Sequence, residues 1–154
     1  MAGFFCDSSA IVKRYVNETG SNFVENLADL KNGNIILLAR ITRVEVAAAI
    51  ARRLKNGSIY PADANNALAA FQHDLTNNYF TIEITPVLLS VAANLATKHA
   101  LRGYDAVQLA AALEANNARI TTGLPALTLV SADTDLNMTA QAERLSVENP
   151  NNYP

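Results

Sequence analysis

Apolar positions follow two alternating rhythms along this chain. Gly3 to Cys6, Ile35 to Ala39 and Leu127 to Ser131 are short apolar runs with little polar alternation. Runs of that kind are strands buried on both faces, as in parallel sheets. Between them the apolar residues recur at helical spacing. Helices are predicted over Ser8–Val16, with Ala10, Ile11 and Val12 on the apolar side, and over Ser21–Lys31, with Phe23, Val24, Leu27 and Leu30. An alanine-rich helix over Thr42–Lys55 stops at Asn56-Gly57, and Pro61 opens another that runs to about Asn77 with Ala67, Leu68, Phe71 and Leu75 inward. Phe80–Ile84 alternates and is β-branched, hence a strand. Helices follow over Pro86–His99, from Tyr104 to about Asn117, and over Thr134–Arg144, and Leu145–Glu148 reads as a short edge strand.

Strands alternating with helices predict a three-layer α/β/α sandwich around a mostly parallel sheet. No repeat or linker interrupts residues 1–148, which are expected to form a single domain, and residues 149–154 are expected to be a loose tail. With 154 residues, half of them apolar, the chain can bury one substantial core. A net charge of −2 excludes a protein that coats nucleic acid through a broad basic face. The single cysteine, Cys6, lies in the first strand as a core filler and suits a reducing compartment. No signal-like leader is visible and no apolar run approaches bilayer length, so the expectation is a soluble, cytoplasmic protein without a membrane partner.

Four carboxylates stand where a strand or turn gives way to a helix: Asp7, Glu45, Asp105 and Asp133. Each has a plain structural reading. Asp7 and Asp133 suit helix caps, Thr42-Arg43-Val44-Glu45 fits a capping box, and Asp105 lies in a first turn, where the helix dipole favours negative charge. Taken singly, capping and function are evenly matched. Taken together, right-handed crossovers place Asp7, Glu45 and Asp133 on one sheet edge, where such folds bind ligands. Asp105 opens the second of two consecutive helices, so topology alone does not bring it there. Two carboxylates about 5 Å apart repel by roughly 3 kcal/mol at an effective dielectric near 20, so a converged cluster needs protons or a cation. Oxygen donors without a neighbouring histidine favour Mg²⁺ or Mn²⁺. Asp135, two residues beyond Asp133, is a candidate fifth ligand, against a bland reading as helix surface.

Basic residues flank the acids in sequence. Lys13, Arg14, Arg43 and Arg102 are candidate phosphate contacts, and Arg52, Arg53 and Lys55 form a further run. A basic rim around an acidic pit suits a polyanion. Ser8, Ser9, Thr42 and Ser131 are candidate supporting hydroxyls, since no base accompanies them as nucleophiles. His73 and His99 have no partner motif.

These residues resemble the PIN-domain ribonucleases, in particular the VapC-type toxins of toxin–antitoxin pairs. The resemblance is carried by Asp7 followed by Ser-Ser-Ala-Ile-Val-Lys-Arg-Tyr, by Glu45 in Thr-x-x-Glu, by Tyr-Asp105-Ala-x-Gln-Leu-Ala, and by Ser-Ala-Asp133-x-x-Leu. It implies Mg²⁺- or Mn²⁺-dependent cleavage of RNA at a site formed by Asp7, Glu45, Asp105 and Asp133, frequent homodimerisation, and a cognate antitoxin. It also implies that the third acid faces the other three. The alternatives are a housekeeping PIN nuclease, a non-catalytic PIN-like module binding RNA or protein, and a phosphoacceptor receiver domain. The last lacks its paired acids and late lysine here.

Overall fold

The computed structural model describes residues 1–154. Five parallel strands, β1 (Gly3–Cys6), β2 (Ile35–Ala39), β3 (Phe80–Ile82), β4 (Thr128–Val130) and β5 (Ser146–Glu148), lie in the order β3-β2-β1-β4-β5. The central strand is built from Phe4, Phe5 and Cys6, which register with Ile36 and Leu37 on one side and with Thr128, Leu129 and Val130 on the other. Alternate residues enter opposite cores. Phe5, Leu37 and Leu129 pack with α5 (Pro86–His99), α6 (Gly103–Thr121) and α7 (Thr134–Ala142). Cys6, Ile36, Leu38 and Val130 pack with α1 (Ser8–Ile11), α2 (Ser21–Leu27), α3 (Thr42–Lys55) and α4 (Pro61–Asn77). The three-layer α/β/α architecture is therefore as expected.

The chain builds outward from β1 to β3, returns to β4 beside β1, and then builds outward the other way. The strand order reverses between β1 and β4, which opens a crevice at their carboxyl ends. Helix α6 spans the sheet. Gln108, near its start, bonds Thr42 at the carboxyl edge, and Arg119, near its end, donates to the Met1 and Pro125 carbonyls at the amino edge.

Several elements differ from their predicted bounds for local reasons. The first helix leaves α geometry after Ile11 and continues as a 3-10 turn over Val12–Arg14, where Lys13 is drawn to Glu18 and the Thr19 carbonyl. Helix α2 ends at Leu27, because Asp29 caps a separate 3-10 turn over Leu30–Asn32. Strand β3 is an edge strand and stops at Ile82, opposite Ala39, the last residue of its single neighbour. Helix α6 runs on to Thr121 with Arg119 anchored in its last turns.

The tail is not loose. Asn149 caps a 3-10 turn over Pro150–Asn152, Pro150 is buried, and Tyr153 stacks on Phe23 with ring centroids 4.2 Å apart. Gly20 makes that docking possible. Its φ is +86°, and a Cβ there would lie 2.5 Å from the Pro150 carbonyl oxygen. Gly57 has a φ of +80° with open space around it. Gly57→Ala should therefore cost only the left-handed strain, about 1 kcal/mol, whereas Gly20→Ala adds displacement of the tail and should cost at least twice that by chemical denaturation. Equal costs would show that the tail contributes nothing to stability.

Candidate active site

The crevice collects side chains from four separate stretches of chain. Asp7 follows β1 and is 4% exposed. One of its oxygens accepts hydrogen bonds from Ser9 Oγ at 2.7 Å and the Ala10 amide at 3.0 Å, and the other accepts from Ser131 Oγ at 2.7 Å. Ser131, just past β4, also accepts from the Asp133 amide, and Ser9 Oγ accepts from the Ala132 amide. The ends of β1 and β4 are thus tied together through two hydroxyls and one carboxylate. Behind them the buried Asn137 of α7 donates to the Ser131 carbonyl at 2.8 Å.

Asp133 caps α7 through Oδ1, which accepts from the Leu136 amide, and turns Oδ2 towards Arg102 at 2.8 Å. The same guanidinium reaches Asp105 Oδ2 at 3.1 Å, so a cation bridges the third and fourth acids. Glu45 lies in the first turn of α3, and its Oε1 accepts from Gln108 Nε2 at 2.6 Å. The capping-box reading of Thr42 and Glu45 does not hold. Ile41 is the helix N-cap, and Thr42 Oγ1 instead accepts from the same Gln108 amide.

The protonation equilibria link the acids into one row. Burial raises the Asp7 pKa from 3.8 to about 6, against the lowering effect of its three hydrogen bonds and with a further push from the charge of Glu45. Burial also raises Glu45, opposed by the Gln108 amide and the nearby Ser8 hydroxyl and reinforced by Asp105. Asp105 is raised by burial and by the charge of Asp133, partly offset by Arg102, with a small contribution from Asp135. Asp135 itself is exposed in the first turn of α7.

The basic residues separate. Lys13 is buried and occupied by Glu18 and the Thr19 carbonyl. Arg14 pairs with the buried Asp74, whose carboxylate also accepts from Tyr15 and Asn78. Lys13 has no free face for a phosphate, whereas the Arg14 side chain stays 23% exposed beside a hollow lined by Asn17, Ser58 and Asp63. Arg43 is exposed beside Arg40, Gln72 and Thr76, in a hollow apart from the acids. Of the four, Arg102 alone touches the acidic row. A groove of about 700 Å³ includes Glu45 in its lining and adds Tyr104 to the surroundings of the site. It is lined by Ser8, Ser9 and Glu45, by the apolar Val12, Val44 and Ala48, by Tyr104, and by Arg52 and Arg53. Tyr104 had a legible signal, since it immediately precedes Asp105.

The donor set fits a hard divalent cation. It consists of carboxylate oxygens alone, and a side-chain cation already lies across Asp105 and Asp133. No three His, Cys, Asp or Glu side chains close around a single point.

A raised carboxyl pKa destabilises the ionised fold. The folded chain holds the Asp7 proton more tightly than the unfolded chain, so this contribution is complete below about pH 4 and is lost as pH rises through 6. The difference between 3.8 and about 6 corresponds to about 3 kcal/mol. In EDTA, Asp7→Asn should match wild type near pH 4 and exceed it increasingly up to pH 7.5, measured by urea denaturation at each pH. A constant difference between the two proteins across that range would refute the assignment of a buried, titrating Asp7.

A PIN-domain family profile matches residues 4–141. Ribonuclease VapC45 of Mycobacterium tuberculosis is 35% identical over 109 residues, which make up 71% of this chain and 74% of that relative. The fold is shared with PAE2754 from Pyrobaculum aerophilum, at TM-score 0.65 and 16% identity over 98% of this chain and 91% of that one. It is shared also with VapBC2 from Rickettsia felis, solved bound to a DNA fragment from the promoter, at TM-score 0.63 and 16% identity over 96% and 98% of the two chains. With the acidic row at the reversal of strand order, the family match spanning nearly the whole sheet and the identity to a VapC ribonuclease, the chain belongs to the PIN-domain family in its VapC-type branch.

Proposed function

We propose that this protein is a cytoplasmic, metal-dependent endoribonuclease, the toxin of a toxin–antitoxin pair, that hydrolyses RNA phosphodiester bonds with Mg²⁺ or Mn²⁺. The observation that carries the reading is a chain of hydrogen bonds that links acids from four distant stretches of sequence: Ser131 joins Asp7 to Asp133, Arg102 joins Asp133 to Asp105, and Gln108 on the Asp105 helix holds Glu45. These four would hold the ion, which would supply charge neutralisation on the phosphodiester and activation of the attacking water. No helix is long and apolar enough to cross a membrane.

The chain's own residues supply position. Asp7 is fixed by its three donors and cannot swing away, so it serves as the rigid reference of the site. The Arg102 side chain is 78% exposed and its long arm can leave the carboxylates for a phosphate oxygen, to which a guanidinium binds in a bidentate manner. The groove beside the acids offers the Tyr104 ring to a base and Arg52 to a backbone phosphate. A cognate antitoxin would block this site by placing its own basic side chain where Arg102 lies. Homodimerisation would cover Val87 and Val91, one turn apart and exposed on α5.

Cleavage of RNA should require added Mg²⁺ or Mn²⁺ and cease in EDTA. Asp7→Asn and Asp105→Asn should each lower the rate by at least about 100-fold, corresponding to about 3 kcal/mol of transition-state stabilisation, while the fold persists. Activity of either variant within threefold of wild type would defeat the site assignment. In a bacterial host the wild-type chain should arrest growth, the Asp7→Asn chain should not, and co-expression of a small neighbouring antitoxin gene should restore growth. Equal toxicity of the two chains would defeat the toxin reading and leave the nuclease reading standing.

A further inference from the structure

We infer that Gln108 is a positioning residue of the acidic site, holding Glu45 in the orientation in which that carboxylate serves the cation; this rests on the metal-dependent reading above. Gln108 follows Asp105 by three residues and so lies on the same face of α6. Its neighbours Leu109, Ala110, Ala111 and Ala112 are all buried, and Gln108 itself is 2% exposed. A carboxamide in such a layer is expected to have all its polar atoms bonded. Here only half of it does. Nε2 donates to Glu45 Oε1 at 2.6 Å and to Thr42 Oγ1 at 3.0 Å, while Oε1 is buried without a partner. The orientation of the amide follows from chemistry, because an ionised carboxylate can only accept.

An orphaned buried carbonyl destabilises the fold, and an unbranched apolar side chain of similar size would remove that burden. The amide is therefore poorly explained by packing and well explained by its donor. Glu45 is half-buried at a helix start, with a long side chain that can escape to solvent away from Asp105. The bond from Gln108 removes that freedom by holding one carboxylate oxygen. Thr42, wholly buried, holds the amide in turn. One side chain thus couples α6, which carries Asp105, to α3, which carries Glu45, and sets the relation between two of the four acids. Residues that orient a metal's ligands in this way typically contribute 10- to 100-fold to metal affinity.

The test uses Mn²⁺ as the probe on the full chain. Gln108→Met keeps the volume and loses the donor, and Gln108→Asn keeps an amide too short to reach both partners. Mn²⁺ uptake by electron paramagnetic resonance should weaken about tenfold or more in both, and half-maximal RNA cleavage should require correspondingly more Mn²⁺. Thermal melting of Gln108→Met in EDTA should stay within a few degrees of wild type, because loss of the orphaned carbonyl offsets the Thr42 hydroxyl left without its donor. In a Glu45→Gln background, Gln108→Met should weaken Mn²⁺ uptake no further, since its effect passes through Glu45. Mn²⁺ affinity within twofold of wild type, additive losses in the double variant, or failure of both single variants to fold would each overturn the inference alone. Wild-type protein that takes up no Mn²⁺ would overturn the metal-dependent reading and this inference with it.

Discussion

The arrangement at the carboxyl edge of the sheet follows from one electrostatic constraint, a carboxylate held almost out of water and repelled by the charge of Glu45. Asp7 ends the central strand, so its burial follows from the position of β1 between β2 and β4. A charge in that place needs compensation. The chain provides part of it with the Ser9 and Ser131 hydroxyls and the Ala10 amide, and these bonds also join β1 to β4 where the sheet reverses direction. The compensation is incomplete, since the carboxyl still titrates near 6, well above an ordinary aspartate.

Capping a helix and joining the acidic row are compatible uses of one residue. Asp7 accepts from the Ala10 amide as a helix cap and also sits within the acidic row. Asp133 divides the work between its two oxygens, one on the Leu136 amide and one towards Arg102. A cap has to stand at a strand-to-helix junction, and those junctions define the edge where parallel folds bind ligands. Glu45 is the exception, because its helix is not capped by a side chain and its carboxylate is left to Gln108.

The basic residues divide by the same logic of burial. Lys13 and Arg14 lie on the short segment packed against α2 and α3, where Lys13 pairs with Glu18 and Arg14 with Asp74 of α4. Arg102 precedes α6 in an exposed turn and reaches the acids because nothing else occupies it. Proximity to an acid in sequence therefore did not forecast proximity to the site.

The strand and helix pattern, the parallel sheet and the candidacy of Asp7, Glu45, Asp105 and Asp133 were legible in the chain itself. Buried parallel strands announce themselves as unbroken apolar runs, and helix starts carry recognisable polar residues. Residue resemblance extended that reading to Asp105, which the order of elements alone left apart. Tertiary structure decided the rest. The long reach of α6 from Thr42 to Met1, the docking of Tyr153 on Phe23 and the clamp of Gln108 on Glu45 all join residues far apart in sequence. Periodicity tells which face of an element is apolar, but not which partner that face will meet. The partner depends on packing across layers, and there a side chain such as Gln108 acquires a role that its place among alanines and leucines does not reveal.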